Sequence, residues 1–156
     1  MINADFYESD LPNKNVAIAY TRNNRYINDT SKYSNTFFIA PVKGSPAGGA
    51  YASGNDLIRF VYALTHNQLL TKESTDNVIT GKFSYGSAEQ QKKYAYGFAN
   101  QIVNNKLIIF HDGGANGIST DLDIYPEHGY SVIVLSNYDP PSGWEVVKKT
   151  RALITK

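Results

Sequence analysis

The feature that most constrains this chain is Phe110-His111-Asp112-Gly113-Gly114-Ala115-Asn116-Gly117, a glycine-rich stretch set between two apolar segments. Lys106-Leu107-Ile108-Ile109-Phe110 leads in and Ile118 to Tyr125 leads out, so one strand ends and another begins around it. Four of its eight residues, three Gly and one Asn, tolerate positive φ or let another group approach the backbone closely. A plain hairpin needs about two to five loop residues and no histidine, so the turn alone does not explain this composition. A strand end rich in glycine leaves backbone N–H groups bare, which suits binding an anion or an oxyanion. A long glycine-rich hairpin carrying a surface histidine fits the same residues, and the local sequence leaves both readings open.

At 156 residues the chain is long enough for one domain with its own core, and residues 1–156 read as a single domain without a linker or an internal repeat. A hydrophobic share of 42% against 19% charged residues is a globular balance. The 12 tyrosines put a hydroxyl tip on much of the apolar surface, which suits half-buried strands and clefts. A net charge of +1 with no basic run offers no footprint for nucleic acid, and no segment reaches the apolar length of a membrane span. With no cysteine, disulfides, thiolate metal sites and cysteine nucleophiles drop out, while cytosol and periplasm both stay open. The first residues, Met-Ile-Asn-Ala-Asp-Phe, lack the pattern of a signal peptide and enter a turn-rich stretch at once, which leads us to expect further sequence upstream.

Taken in order, Leu11-Pro12-Asn13 signals a turn, Val16 to Tyr20 a short strand, and residues 21–35 a long polar loop. Asn28-Asp29-Thr30 matches the glycosylation acceptor pattern, which we read as a chance match. Thr36 to Ala40 is a second short apolar stretch. Gly44-Ser45-Pro46-Ala47-Gly48-Gly49-Ala50-Tyr51 reads as a tight loop passing close to another backbone, with packing a better account than catalysis. Ser53 then caps a helix, with Asp56 in the capping-box place and Leu57, Phe60, Val61 and Leu64 on one face. Thr71 caps a shorter helix to about Thr80, closed by Gly81, and residues 82–93 read as polar and mobile. Strands follow: Tyr94 to Val103, a turn at Asn104-Asn105, then Lys106 to Phe110. Ser119 to Tyr125 alternates like a strand with one wet face, and Val132 to Leu135 reads as a buried central strand. After Pro140-Pro141, Trp144, Val146, Val147, Thr150, Leu153 and Ile154 mark a helix that packs on the sheet. The expected class is α+β, an antiparallel sheet flanked by helices.

Tests for nucleophile motifs fail. No serine is followed three residues later by lysine, and Gly117-Ile118-Ser119-Thr120-Asp121 has Asp where a nucleophile elbow needs its last Gly. If a nucleophile lies within this chain, Ser45 and Ser119 are the least poor choices. His66, His111 and His128 lack helical metal spacing, so no metal is expected; His66 reads as a helix-end residue and His128 as a turn residue. The glycine run opens a strand, where a phosphate loop would open a helix, and no cofactor is implied.

Taken together, two segments change the picture. Gly44 to Phe60, with Ser-Pro-Ala-Gly-Gly-Ala-Tyr-Ala-Ser and then Asp-Leu-Ile-Arg-Phe, resembles a stretch of the serine β-lactamase and penicillin-binding-protein-like hydrolases. It looks most like the class C β-lactamase, D-alanyl-D-alanine carboxypeptidase and esterase branch. Tyr96-Gly97-Phe98, His111-Asp112-Gly113-Gly114, Gly117-Ile118-Ser119, Ile124 to Gly129 and Val132 to Asn137 follow in that family's order, over nearly the whole chain.

The resemblance implies an incomplete β-lactamase/transpeptidase-like fold and acyl transfer through a serine ester, with hydrolysis of an amide, ester or β-lactam. His111 would face the cleft and orient substrate or assist proton transfer, as the first residue of the family's His-x-Gly triplet. Gly113 would leave room for the acyl group, Gly114 N–H would be one oxyanion-hole donor, and Asn116 would bind substrate. The implied partner is a small-molecule or peptide-like acyl substrate, and the implied location is the bacterial cell envelope or periplasm. The family's Ser-x-x-Lys and Tyr-x-Asn belong upstream of the matching region and are missing. Tyr33-Ser34-Asn35 imitates the second but stands in the wrong place in the order. The expectation is therefore the C-terminal portion of such a hydrolase, inactive by itself. The family's N-terminal strands complete the sheet beside Tyr130 to Asn137, so without them that edge should drive self-association. The rival reading is a non-catalytic binding or interaction module that retains the fold.

Overall fold

The computed structural model describes residues 1–8, 15–23, 31–35 and 43–156. The expected turn at Leu11-Pro12-Asn13, the acceptor pattern at Asn28 and the apolar stretch Thr36 to Ala40 lie outside those residues. Two short strands, β1 (Tyr20–Thr21) and β2 (Ser34–Asn35), pair with each other. Two helices follow, α1 (Gly54–Thr65) and α2 (Lys72–Ile79). Then come β3 (Phe83–Tyr85), β4 (Lys92–Tyr94), β5 (Ala99–Val103), β6 (Lys106–Ala115), β7 (Ile118–Tyr125) and β8 (Tyr130–Ser136), and last α3 (Ser142–Ile154). Strands β3 to β8 form one antiparallel sheet in sequence order. The α+β class is as expected.

Each face of the sheet has its own apolar cluster. On one, Val61 and Leu64 of α1 meet Ile109, Leu122 and Ile124, with Val78 and Ile79 of α2 beside them. On the other, Ile108, Phe110 and Tyr125 pack with Ile154 of α3. The α1 cap forms as the sequence implied: Ser53 Oγ accepts from Asp56 N–H. The Asp56 carboxylate is fully buried and also accepts from the N–H groups of Ile2 and Asn3, at 2.7 and 3.1 Å. Those bonds, the one from Ile2 foremost, outweigh the cost of burial and hold its pKa below the ordinary carboxylate value. Residues 2 and 3 are thereby tied to the start of α1. The 44–51 loop is tight for the reason expected: Ser45 and Gly48 exchange backbone hydrogen bonds, and a Cβ on Gly49 would stand 2.8 Å from the Gly44 Cα.

Several expectations are corrected. Residues 82–93 form β3, a 3-10 turn over Ala88–Gln90 and β4, because Tyr85 and Tyr94 make an edge-on ring contact across the pair. Tyr94 to Val103 is broken at Gly97, whose φ of 83° turns the chain so that Tyr94 pairs with Ala99. Gly81 does not close α2 with a left-handed residue; it is small because the Asn100 side chain accepts its N–H and an added Cβ would collide with that side chain. Of residues 16–20 only Tyr20 lies in a strand, held by its N–H to the Asn137 carbonyl at 2.9 Å. Val132 to Leu135 lies in β8, the last strand of the sheet rather than a central one. Its continuous apolar run is explained by helices on both sides: Ile133 joins the α1 cluster and Val132 the α3 cluster.

The alternation of β7 also misleads. Its polar residues are not wet: Ser119 and Asp123 are fully buried and Asp121 nearly so, beneath α3. The inward stripe of α3 is accordingly Gly143, Val147, Arg151 and Ile154, while Trp144, Val146 and Leu153 stay largely exposed.

Candidate active site

The glycine-rich stretch is mostly strand. β6 continues through Ala115, and Ala115 pairs with Ile118, so only Asn116 and Gly117 form the turn. Gly117 alone takes a positive φ, 75°, of the four residues that could have. Gly113 and Gly114 are small for packing: a Cβ on Gly114 would stand 3.0 Å from Pro140 Cγ, and one on Gly113 3.1 Å from Thr120 Oγ1.

Register decides where the backbone donors point. Residues directly opposite in an antiparallel pair alternate between exchanging both hydrogen bonds and exchanging none. The two-residue turn at Asn104-Asn105 makes Val103 and Lys106 a bonded pair, so Lys106, Ile108 and Phe110 bond to β5. The two-residue turn at Asn116-Gly117 makes Ala115 and Ile118 a bonded pair, so Ala115, Gly113, His111 and Ile109 bond to β7. The two turns agree. The N–H and C=O groups of Asp112 and Gly114 therefore point to the β5 side, where β5 has already ended opposite Phe110. Among the described residues, the last five of β6 thus form an open strand edge with two free donors.

Side chains around that edge divide between the faces of the sheet. His111 and Gly113 lie on the α1 face, with His111 opposite Leu122 and exposed. Asp112 and Gly114 lie on the α3 face. A cleft of about 670 Å³ opens there; Gly114, Ala115, Asn116, Arg22, Pro140 and Trp144 are among the residues around it. Gly114 and Asn116 are thus brought together, whereas His111 and Gly113 do not line that cleft. The Asn116 amide is engaged: its Nδ2 donates to the Asn23 carbonyl at 3.2 Å and its Oδ1 accepts from Asn23 Nδ2 at 3.4 Å.

Asp139, at the floor of the cleft, was not singled out by the sequence. Its carboxylate accepts from Gly117 N–H at 2.7 Å and from Arg22 N–H at 2.8 Å, fastening the turn to residues 20–23. Burial works against the charge, but hydrogen bonds from the Thr21 hydroxyl and those two amides prevail and keep the pKa below the ordinary value. The only signal in the sequence was its place just before Pro140-Pro141, which reads as turn chemistry and not as a tether.

The two serines considered as nucleophiles fare poorly. Ser119 is fully buried and its Oγ accepts from Gly143 N–H at 3.0 Å, leaving it unreachable. Ser45 Oγ accepts from Ala47 N–H in its own turn. Tyr33 stacks edge-on against Tyr138 and lies under the Arg22 guanidinium. Among the described residues no three histidine or carboxylate side chains come together to hold a metal ion, and no helix is long and apolar enough to cross a membrane.

Comparison with known proteins agrees with this architecture. The chain is similar over 98% of its length to a penicillin-binding protein from Bacillus halodurans, with a TM-score of 0.85 at 21% identity. It is similar over 85% of its length to a D-stereospecific amidohydrolase from Streptomyces sp., with a TM-score of 0.66 at 22% identity. It spans only 45% and 37% of those two chains. No curated protein sequence matches it. The Beta-lactamase family model matches residues 1–156, and with an antiparallel sheet packed between helices the chain belongs to the β-lactamase family.

Proposed function

We propose that this chain supplies the oxyanion side of a β-lactamase-like acyl-transfer site and, lacking Ser-x-x-Lys and Tyr-x-Asn, does not turn over by itself. The observation that carries the reading is the open edge of β6, where Gly114 N–H points away from β7 with no strand among the described residues to receive it. A free backbone donor on a rigid strand is what a developing oxyanion needs, and it requires no rearrangement at the moment of reaction. His111, one residue beyond the last β5 pair, orients substrate or passes a proton from the α1 face, and Gly113 leaves space for the acyl group. Asn116 contributes to substrate binding at the turn through what its bonds to Asn23 leave free. The substrate is a small or peptide-like amide, ester or β-lactam, opened by a serine borne on other sequence. The bacterial envelope is the compartment to which this substrate class points.

The test has two arms. Intact-mass analysis after incubation with a fluorophosphonate and with a penicillin should show no adduct; a serine adduct would place the nucleophile within this chain. Titration of the ¹⁵N-labelled chain with methylphosphonate, an oxyanion mimic, should move the amide signals of Asp112 and Gly114 first. Shifts confined to other regions would remove the oxyanion assignment and leave a binding module built on the same fold.

A further inference from the structure

We propose that Asp121, Asp123 and Arg151 form a proton-dependent latch that fastens α3 to β7 and, through the first turn of α3, braces the end of β6 that carries Gly114. The reading stands on geometry and holds whether or not the β6 edge serves acyl transfer. Two inward polar residues of β7, Ser119 and Asp123, are hydrogen-bonded to α3. Ser119 Oγ accepts from Gly143 N–H at 3.0 Å, and Asp123 takes the guanidinium fork of Arg151 at 2.8 and 2.6 Å. The Tyr125 hydroxyl donates to Asp123 at 2.8 Å, Gln101 Oε1 accepts from Arg151 Nη1 at 3.3 Å, and the guanidinium lies 4.5 Å from the Phe110 ring centre.

Charge counting then singles out Asp121. Two buried carboxylates face one partly buried guanidinium, and Asp123 holds both arms of the fork. Asp121 comes no closer to Arg151 than 3.6 Å, and its Oδ1 is buried without a hydrogen-bond partner. An ionised Asp121 would be an uncompensated charge in a dry place, and a protonated one is not. Among the described residues, the other ionisable groups facing it are Asp123 on β7, Asp112 opposite on β6 and Arg151 from α3. Only the last is cationic. Burial first and the neighbouring Asp123 second push the Asp121 carboxyl up to about 8.

Deprotonation therefore adds a negative charge at the centre of the α3 interface. The α3 side of that interface also holds the 114 position, where an added Cβ would meet Pro140 and Trp144. Loosening of α3 is thus read directly by Trp144, the single tryptophan of the chain. The experiment follows Trp144 emission and α3 amide exchange from about pH 6 to about pH 9.5 at a temperature well below unfolding. The intact chain should show one transition near pH 8, with α3 exchange rising about tenfold relative to β5 after correction for the intrinsic pH dependence. Asp121→Asn should abolish it. Asp112→Asn, which removes a negative neighbour, should keep the transition and move it to lower pH. A flat profile in the intact chain, or an unchanged transition in Asp121→Asn, would overturn the latch. So would a shift to higher pH in Asp112→Asn.

Discussion

Gly113 and Gly114 are adjacent and chemically identical, yet they meet different neighbours and should respond differently to substitution. A methyl at Gly114 pushes against Pro140, a rigid ring backed by the start of α3, whereas one at Gly113 meets a Thr120 hydroxyl that can turn aside. Gly114→Ala should cost about 1–3 kcal/mol, the usual price of overpacking, and Gly113→Ala clearly less, as read from urea denaturation. The aspartates differ in sign as well as in place. Asp121 keeps its proton in the folded state where the unfolded chain has lost it. Its contribution to stability is therefore whole below the ordinary 3.8 and is lost as pH rises through about 8. Asp139 runs the other way: its depressed pKa contributes stability above the ordinary value that is lost as pH falls through the folded one. Asp121→Asn should thus flatten the decline between about pH 4 and pH 8 and leave the acid limb intact. A decline of unchanged slope in urea midpoints would show that some other group causes it.

At the scale of elements, α3 shows how far the sequence can be read. The helix and its length were legible from the apolar spacing after Pro140-Pro141, but the stripe it buries was not. Periodicity marked Val146 and Leu153, whereas the face against β7 is organised around Arg151, a charged residue that apolar patterning counts as outside. The same cause hid Asp121 and Asp123, whose alternation with Leu122 and Ile124 is that of a strand with one solvated face. A buried ion cluster inverts that rule, and its two halves lie 28 residues apart in sequence. Caps were legible because their partners are local: Ser53 and Thr71 stand where their side chains bond three residues on. The order of strands in the second half was legible for the same reason. The free edge of β6 was not, because it follows from where β5 stops and not from any residue in the glycine run. The buried stripe makes a simple prediction. Val147→Ala should cost about 1–3 kcal/mol, while Val146→Ala and Leu153→Ala should each fall within about 0.5 kcal/mol of the parent. Equal losses at all three would mean that α3 is rotated on the sheet.

For the molecule as a whole, the family likeness covers this chain almost completely but less than half of the solved structures it resembles. Among the described residues the outer edge of β8 carries no paired strand, only the single bridge between Tyr20 and Tyr138 next to its end. Ser131, Ile133 and Leu135 alternate outward there by the register that bonds Ser136, Val134 and Val132 to β7. Such an edge is a template for pairing, and we expect concentration-dependent association of the isolated chain in sedimentation velocity. A charge at the exposed Leu135, as Leu135→Lys, should weaken it, and a monomer at every concentration would count against the proposal. The central claim concerns the other open edge, the last five residues of β6. Residue-resolved amide hydrogen exchange reads it without any ligand. His111, Gly113 and Ala115 should be protected while Asp112 and Gly114 exchange quickly; uniform protection along the strand would mean that something already occupies the edge, and the oxyanion site would not exist.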